Sequence, residues 1–250
     1  MDYIFILVLG LIIGSFLNVC IYRIPNEQSI SFPPSHCCSC NHRLYPLDLI
    51  PIISFVFLKG HCRYCNEKIS VRYPLIESLN AILYILIYLK FGLTIYTLKY
   101  FILASLLIVI SVIDFESQDV YLSTTIFGLI VGLLFMAIEY FVYHNEFLYL
   151  ILGGILGALI IGTIVFLTRG MGEGDIEIAG VCGLFLGYKL IIFALFLAVI
   201  IGGTAGIIIL ALKFKKAKEK IAFGPCIAIG TIISILYGKE LIQYYLNLFL

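Results

Sequence analysis

The stretch FLYLILGGILGALIIGTIVFLT, Phe147–Thr168, decides the fold class because it carries no charged side chain. A run of about 20 apolar residues is long enough to cross the hydrocarbon core of a bilayer as an α-helix. Leu190–Leu212 and Ile221–Gly238 are also free of charge, and the whole chain is 62% hydrophobic and 12% charged, with a mean hydropathy of +1.11. A chain of 250 residues with this composition cannot form a water-facing surface. A soluble globular protein is therefore excluded.

We expect an all-α polytopic membrane protein with about eight transmembrane helices. The sixth predicted span is short. The expected spans are Tyr3–Tyr22, Pro74–Phe91, Tyr96–Ile113, Tyr121–Tyr143, Phe147–Thr168, Ile176–Gly187, Leu190–Leu212 and Phe223–Tyr237.

The basic residues predict the orientation of these spans. Lys and Arg are retained on the cytoplasmic side of short loops, and eight spans place most of the 16 basic residues on one side. That set is Arg23, Arg43, Lys59, Arg63, Lys68, Arg72, Arg169, Lys213, Lys215, Lys216, Lys218 and Lys220. We expect this side to face the cytoplasm, with both termini outside. A signal peptide begins with basic residues, whereas the first span begins after Asp2 and its basic residue, Arg23, comes after the apolar run. We therefore expect this span to stay in the membrane as an anchor and not to be a cleaved signal peptide.

The loop between the first two spans predicts a metal site. Cys37 and Cys40, then Cys62 and Cys65, form two CxxC pairs at a spacing typical of four-thiolate zinc. A reducing cytoplasmic loop favours metal binding over disulfides, while redox-active pairs remain an alternative. Cys38 is spaced too closely to Cys40 for the usual turn. His36, His42 and His61 are interpreted as supporting or surface residues. The apolar segment 48–58 is too short to span, and we expect it along the membrane surface.

Two acidic residues lie at the ends of apolar runs. Asp114 follows the third span, and Asp175 closes Gly172-Glu173-Gly174-Asp175. A carboxylate at the centre of a membrane helix costs roughly 2.5 to 3.5 kcal/mol, so an acid there is a functional hypothesis. Both residues fall on the same predicted side, and two such acids sharing one proton can hydrolyse a peptide bond. Gly172 and Gly174 would let a substrate strand approach closely. A solvated loop acid and an ordinary glycine turn remain alternatives.

Several segments together resemble the type IV prepilin peptidases, a family of GxGD aspartyl proteases. They are the run 14–25 (GSFLNVCIYRIP), the two CxxC pairs, the run 69–77 (ISVRYPLIE), the GEGD motif and Phe223-Gly224-Pro225. The resemblance implies an inner-membrane endopeptidase that removes the basic leader of type IV prepilins and pilin-like secretion proteins. It further implies N-methylation of the new terminus with S-adenosylmethionine. It places the catalytic pair at Asp114 and Asp175.

The resemblance also implies a division of roles along the chain. Residues 1–22 would form the first transmembrane helix, 23–73 the cytoplasmic zinc-binding loop, and 74–250 the transmembrane aspartyl peptidase bundle. The expected partners are a prepilin and membrane lipid. The lysines of 213–220 are interpreted as lipid contacts, since no aromatic interleaving supports nucleic-acid binding.

Some features depart from the family pattern or leave roles open. Val120-Tyr121-Leu122 stands where the family often has Ile-Pro-Asp, and Glu177 where it commonly has Lys. Glu77 is interpreted as a helix cap, with contact to a methyl-donor site as the alternative. No glycine-rich dinucleotide fingerprint identifies that site. A peptidase without methyl transfer and a zinc-bearing transporter are the competing functions, and transport is disfavoured because both acids lie at one face.

Overall fold

The computed structural model describes residues 2–143, 147–168, 171–211 and 222–249. Arg169 and the lysines of 213–220, which contributed to the predicted orientation, lie outside the described residues. The chain divides into two compact units, Met1–Thr97 and Leu98–Leu250. The predicted division of roles at 22 and 73 does not follow these compact units and stays a prediction.

The described residues are nearly all helical, which confirms the expected fold class. Seven helices are long and apolar enough to cross a membrane, and no strand is formed in the described ranges beyond two isolated bridges in the cysteine loop. The helices are α1 (Asp2–Arg23), α2 (Ile53–Phe57), α3 (Arg72–Phe91), α4 (Ile95–Ser117), α5 (Leu122–Tyr143), α6 (Phe147–Thr168), α7 (Gly174–Leu186), α8 (Tyr188–Ala211) and α9 (Gly224–Phe249), with a 3-10 turn at Pro46–Leu49.

The N-terminal unit is built on close packing between α1 and α3. A Cβ on Gly10 would lie 2.6 Å from the Cα of Ala81, and one on Gly14 would lie 2.7 Å from the Cα of Glu77. The two glycines stand one turn apart, which is the small-xxx-small spacing that lets membrane helices approach closely. Asn80 Nδ2 donates to Gly10 O at 2.8 Å across the same contact. Lipid offers no competing partner for that hydrogen bond, so it adds to the packing.

The C-terminal unit places α7 against the glycine-rich face of α6. α7 is the sixth predicted span, and its 13 residues are too few to cross a bilayer alone. A side chain on Gly153 would meet the backbone of Gly183, and a side chain on Gly183 would meet the backbone of Gly153. The backbones of α6 and α7 are therefore in direct contact, which only glycine permits at these two positions. α7 is consequently buried along most of its length.

A buried ion pair joins α4 to α5. Lys99 Nζ lies 2.6 Å from Glu139 Oε1, and their side chains are 2% and 8% exposed. Ionisable side chains in membrane spans pair with one another because lipid cannot solvate them. Nothing in the linear sequence paired Lys99 with Glu139, since 40 residues separate them. Removing either partner would leave an unpaired buried charge.

The ends of two helices differ from the expected spans. α4 continues to Ser117, so Asp114 lies inside its last turns and not after its end. The helix stops where Gln118, with φ of 60°, donates its backbone N–H to Asp114 O at 2.8 Å. α9 runs to Phe249, well beyond the predicted Tyr237. The helix continues through the charged pair Lys239 and Glu240, and its last turns are mostly exposed. Hydropathy alone ends a span where polar residues begin and misses such extensions.

Substituting Gly183 by Ala should destabilise the C-terminal unit. The added methyl group meets the backbone of α6, and overpacking of this kind costs about 1 to 3 kcal/mol. The matched control is Gly203→Ala in α8, where a Cβ meets nothing within 4 Å. In detergent, the thermal unfolding midpoint of Gly183→Ala should be lower than that of the wild-type protein. The midpoint of Gly203→Ala should be unchanged. Equal midpoints for the two variants would contradict the close approach of α6 and α7.

Candidate active site and metal centre

Asp114 is held in place by the first residue of α9. Its side chain is buried, with 5% of the residue exposed, and Oδ2 accepts a hydrogen bond from the backbone N–H of Gly224 at 2.8 Å. A Cβ on Gly224 would lie 2.7 Å from that oxygen. Only glycine lets the two groups come this close without displacement. The Phe223-Gly224-Pro225 segment, to which sequence analysis gave no role, therefore positions Asp114.

Asp175 lies in the first turn of α7, as the sequence predicts. The residue is 4% exposed, and its Oδ2 accepts a hydrogen bond from the backbone N–H of Gly172 at 3.1 Å. Its own backbone N–H donates to Gly172 O at 3.2 Å. These two reciprocal bonds close the GEGD turn. The N-terminal end of a helix also favours a negative charge at this position.

The structure brings Asp114 and Asp175 together within the C-terminal unit. Each carboxylate lies within electrostatic range of the other, and the thiol of Cys226 lies within range of both. Ile178, one turn beyond Asp175, approaches Gly224, whose Cβ position is 3.3 Å from its Cδ1. Asp114 and Asp175 are 61 positions apart in the sequence. The packing of α7 on the start of α9 brings them together. Two neighbouring carboxylates cannot both ionise cheaply and titrate as one unit.

The two departures from the family pattern have defined surroundings. The side chain of Val120 covers Gly174, whose Cβ position would be 2.5 Å from Val120 Cβ. Glycine is thus required at 174 by the packing of its neighbour Val120. Glu177 Oε2 accepts a hydrogen bond from the Thr125 hydroxyl of α5 at 2.7 Å. That bond fixes the carboxylate of Glu177 to a neighbouring helix.

The four predicted cysteines converge in the N-terminal unit. The Sγ atoms of Cys37, Cys40, Cys62 and Cys65 all lie within 4.8 Å of one another, and those of Cys37 and Cys65 are 3.8 Å apart. Zn–S bonds of about 2.3 Å in a tetrahedron require sulfur atoms about 3.8 Å apart. The donor set therefore fits a tetrahedral zinc ion. Cys38 is exposed and is not a member of the cluster.

Both CxxC turns adopt the same backbone structure. Asn41 N–H donates to Cys37 O at 2.8 Å, and Asn66 N–H donates to Cys62 O at 2.9 Å. Both asparagines have a left-handed φ, 55° and 61°, which Asn tolerates better than most residues. The repeat is visible in the sequence as HCxxCN, at 36–41 and 61–66. This internal repeat is a signal that the analysis of CxxC pairs alone missed.

The three histidines lie outside the cysteine cluster, which agrees with their interpretation in the sequence analysis as supporting or surface residues. His36 and His61 each place Nδ1 near a backbone carbonyl two residues earlier, at 3.1 and 2.8 Å. The ring of His42 stacks on the ring of Tyr64, with centroids 3.7 Å apart. Their rings support the turns and leave the four thiols as the ligand set.

The close thiols influence one another's ionisation. Burial raises the pKa of Cys37, but backbone and thiol hydrogen bonds outweigh burial and lower it to about 7. A backbone hydrogen bond lowers the pKa of Cys65, yet burial and the three neighbouring thiols raise it to about 12. The thiolate form is therefore favoured at Cys37 and disfavoured at Cys65. A divalent cation resolves this conflict, because it stabilises several thiolates at once.

Asp48 connects the two halves of the cysteine loop. Its side chain is 4% exposed, and its oxygens accept hydrogen bonds from Arg63 Nε at 2.8 Å, Tyr64 Oη at 3.1 Å and Tyr45 N at 3.2 Å. Burial raises the pKa of Asp48, but these bonds lower it below its ordinary value. Arg63 and Tyr64 are the two residues inside the second CxxC pair. Sequence analysis missed this role because it treated 48–58 only as an apolar segment.

Glu77 does not cap α3, contrary to the favoured interpretation. The helix begins at Arg72, so Glu77 lies beyond its first turn. Glu77 Oε2 instead accepts a hydrogen bond at 2.7 Å from the backbone N–H of Ile52, whose φ of 59° is unusual for a β-branched residue. The apolar segment of the cysteine loop is thus fastened to α3. Ile53, Val56 and Phe57 of that segment remain exposed, which fits the predicted membrane-surface location.

A cavity of about 560 Å³ lies between α1, the start of α3 and the cysteine loop, within the N-terminal unit. Its lining includes Ser15 and Asn18 of α1 with Tyr73 and Glu77 of α3. Volumes of about 300 to 1,000 Å³ are typical of small-molecule sites. The fold therefore contains a second candidate site, separate in the chain from Asp114 and Asp175.

Two family models match consecutive parts of the chain. The Bacterial Peptidase A24 N-terminal domain matches residues 8–91, which hold the cysteine cluster and the cavity. The Type IV leader peptidase family matches residues 101–207, which hold both aspartates.

Curated relatives match nearly the whole chain, and each is named prepilin leader peptidase/N-methyltransferase. One from Bacillus subtilis (strain 168) is 34% identical over 243 residues, 96% of both chains. One from Pseudomonas putida is 29% identical over 94% of this chain and 90% of the relative, and one from Aeromonas hydrophila is 30% identical over 96% and 92%. No solved structure matches. The chain therefore belongs to the type IV leader peptidase family.

Proposed function

We propose that this chain is an intramembrane aspartyl endopeptidase that cleaves the short leader of type IV prepilins and pilin-like secretion proteins, then N-methylates the new terminus. The observation that carries the proposal is the convergence of two buried carboxylates, Asp114 and Asp175, in the part of the chain that the leader peptidase model matches. The names of the relatives supply both reactions and the substrate class.

Peptide hydrolysis needs the two acids in different protonation states. One ionised carboxylate takes a proton from water while the other, protonated, donates to the scissile carbonyl oxygen. Backbone N–H groups of Gly224 and Gly172 each hold one oxygen of a carboxylate, which leaves the other oxygen for water or substrate. The attacking water loses its proton to one acid, and the departing amine receives a proton as the tetrahedral intermediate collapses. Asp114 and Asp175 are therefore the proposed catalytic pair.

The surroundings of this pair suit an extended, basic leader. Gly172 and Gly174 present backbone without side chains, so a substrate strand can lie against the GEGD turn. Glu116 and Asp119, just after Asp114, are exposed and can attract the positive charge of a leader. Glu177 adds a further negative charge that Thr125 holds in place.

Zinc is proposed as a structural ion held by Cys37, Cys40, Cys62 and Cys65. The loop of 23–73 has few buried apolar side chains, Cys62 being the one in the described core. Small segments of this kind need a metal or disulfides in place of a hydrophobic core. The ion would supply folding energy to the loop and take no part in peptide hydrolysis.

The second proposed reaction uses S-adenosylmethionine. The methyl donor supplies an electrophilic methyl group on a positively charged sulfur. The uncharged amine of the cleaved pilin would form a new N–C bond as the S–C bond of the donor breaks, which leaves the sulfur as a neutral thioether, and the amine would then release one proton. The N-terminal unit has a cavity of suitable size with polar lining groups, so the residues present fit a methyl donor.

The proposed location is the bacterial cytoplasmic (inner) membrane, with the cysteine loop and both aspartates on the cytoplasmic side. The support is the distribution of basic residues along the sequence. Lipid and a prepilin are the proposed partners, and the composition offers no nucleic-acid surface.

Replacing either catalytic acid by Asn should abolish leader cleavage. Asp114→Asn and Asp175→Asn each keep the volume of the side chain but remove a carboxyl group that can accept or donate a proton. The rate of cleavage of a purified prepilin should therefore fall by at least about a thousandfold. The control is Asp2→Asn, the same chemical change at an exposed aspartate in the first turn of α1, which should retain cleavage. Substantial cleavage by either Asn variant would remove that residue from the mechanism.

Cys62→Ser should release zinc from the purified protein. Removing one of four thiolates leaves an incomplete tetrahedron, so metal analysis should show a fall from about one zinc per chain to nearly none, with a lower unfolding temperature. Cys38→Ser in the same loop lies outside the cluster and should keep its zinc. A wild-type protein purified without metal, or equal loss in both variants, would contradict the structural zinc.

Mass spectrometry of the reaction product tests methyl transfer. The wild-type protein in liposomes, given a prepilin and S-adenosylmethionine, should yield a cleaved pilin heavier by one methyl group in place of a hydrogen. Without the donor, cleavage should continue and the product should be unmethylated. A cleaved product that never gains a methyl group would identify a peptidase without methyltransferase activity.

A further inference from the structure

The apolar segment 48–58 of the cysteine loop folds back on itself at Ile52. The 3-10 turn Pro46–Leu49 leads into Ile52 and α2 leads away from it, and these two elements contact each other. Ile52 has a left-handed φ of 59°, which supplies the change of direction. Its backbone N–H donates to Glu77 Oε2 at 2.7 Å, so the point of return is fixed to α3.

The position of Glu77 along α3 gives the depth of this contact. α3 has 20 residues, and at a rise of about 1.5 Å per residue its length of about 30 Å equals the thickness of the hydrocarbon core. Arg72 begins the helix and Lys90 lies in its last turn, so charged residues mark both ends. Glu77 lies five residues beyond Arg72. The contact with Ile52 is therefore about 7 Å inside the end of the span.

α1 gives an independent measure of the same depth. Gly14 packs directly on Glu77, since a Cβ on Gly14 would lie 2.7 Å from the Cα of Glu77. α1 ends at Arg23, whose Nη2 donates to Pro33 O of the cysteine loop at 2.6 Å. Gly14 stands nine residues before Arg23, which is about 14 Å along the helix axis. The two helices together place Ile52 about 7 to 14 Å inside the ends of the spans.

The backbone at this turn meets the requirement that a membrane imposes. Lipid offers no hydrogen bonds, so each N–H at this depth needs a partner in the protein. Pro51 has no N–H, and Ile52 donates to Glu77. The next two residues donate to carbonyls two and four positions earlier in the chain. Residues 51–54 therefore leave no N–H unpaired.

α2, which follows the turn, has two different faces. One face borders the cavity and consists of Ser54, Phe55 and the following Leu58. The other face carries three large apolar side chains at the spacing i, i+3 and i+4, which are Ile53, Val56 and Phe57. These three residues are 53%, 65% and 82% exposed. A contiguous exposed apolar face indicates contact with a membrane or with another protein.

We propose that the segment 48–58 is re-entrant, with the face of Ile53, Val56 and Phe57 inserted among the acyl chains of the leaflet on the Arg23 side. The segment then lies deeper than the surface location that the sequence predicts. Acyl chains are the occupant because lipid already surrounds α1 and α3 at this depth, and another protein could reach the face only by displacing it. The lipid then supports the wall of the cavity that α2 forms.

A single tryptophan can report the depth of this face, because the chain contains no other tryptophan. Phe57→Trp and, in a separate protein, Val56→Trp place the probe on the inserted face. The matched control is Phe32→Trp, which makes the same change at a side chain of the same loop that is 73% exposed. Phe32 precedes Pro33, which Arg23 holds near the end of α1.

The measurement compares each purified full chain in phosphatidylcholine vesicles with and without bromine on the acyl chains, since bromine quenches tryptophan fluorescence. Phe57→Trp and Val56→Trp should lose at least about twofold more emission than Phe32→Trp, because this quencher is confined to the hydrocarbon core. Acrylamide, which stays in water, should quench Phe32→Trp more strongly. All three variants should retain zinc and prepilin cleavage, as expected of folded proteins.

Glu77→Ala in the Phe57→Trp protein tests the anchor. Alanine offers no acceptor to Ile52 N–H, so the turn should leave the hydrocarbon and quenching by brominated lipid should fall at least about twofold. Glu77→Gln keeps an oxygen acceptor and should retain the quenching. Equal loss in both variants, or no loss in either, would contradict the depth inferred from Ile52 and Glu77.

Two results with Phe57→Trp would overturn the proposal. Quenching by brominated lipid no stronger than that of Phe32→Trp, together with strong quenching by acrylamide, would place the face in water. Protection from both quenchers would show that protein, from a second copy of this chain or from another part of it, covers the face in place of lipid.

Discussion

The C-terminal unit is organised around the burial of two carboxylates. Asp114 and Asp175 are each almost inaccessible, and each is held by one backbone N–H, from Gly224 and Gly172 respectively. Lipid cannot solvate such groups, so their positions depend on donors that the fold must bring to them. The glycine at 224 is required by this bond, and the packing of Gly153 against Gly183 holds the short α7, which carries Asp175. The positions of the two proposed catalytic acids are thus set by the same contacts that pack the helices.

The cysteine loop of the N-terminal unit has little apolar core, so contacts other than hydrophobic burial must hold it together. Two identical turns carry the four thiols, and Asp48 ties the second turn to Tyr45 through buried hydrogen bonds. Glu77 fastens the intervening segment to α3 through Ile52. The four-cysteine cluster, one buried carboxylate and a helix anchor take the place of hydrophobic burial as the source of order, and a metal held by the cluster would add to it. The same arrangement borders the cavity beside Asn18, so the residues that order the loop also line the cavity.

Much of this could be predicted from the sequence because the signals are local. Charge-free runs marked the spans, and Phe147–Thr168 forms a helix with the predicted ends. The CxxC spacing selected the four cysteines that converge, and intramembrane acids are rare enough to identify Asp114 and Asp175. Other features are not local. The partner of Lys99, the donor to Asp114 and the true role of Glu77 each depend on residues at least 25 positions away.

The sequence by itself determined the class of protein, the helices and the residue types able to perform hydrolysis and bind zinc, because hydropathy and spacing act over one or two turns of chain. Only the tertiary structure decided that a glycine of α9 holds Asp114, that Glu77 binds Ile52 and does not cap α3, and that α1, α3 and the cysteine loop enclose a cavity. The physical reason is that hydrogen-bond partners in a membrane protein are chosen by which helices touch, and helix contacts are set by the packing of small residues across the whole unit.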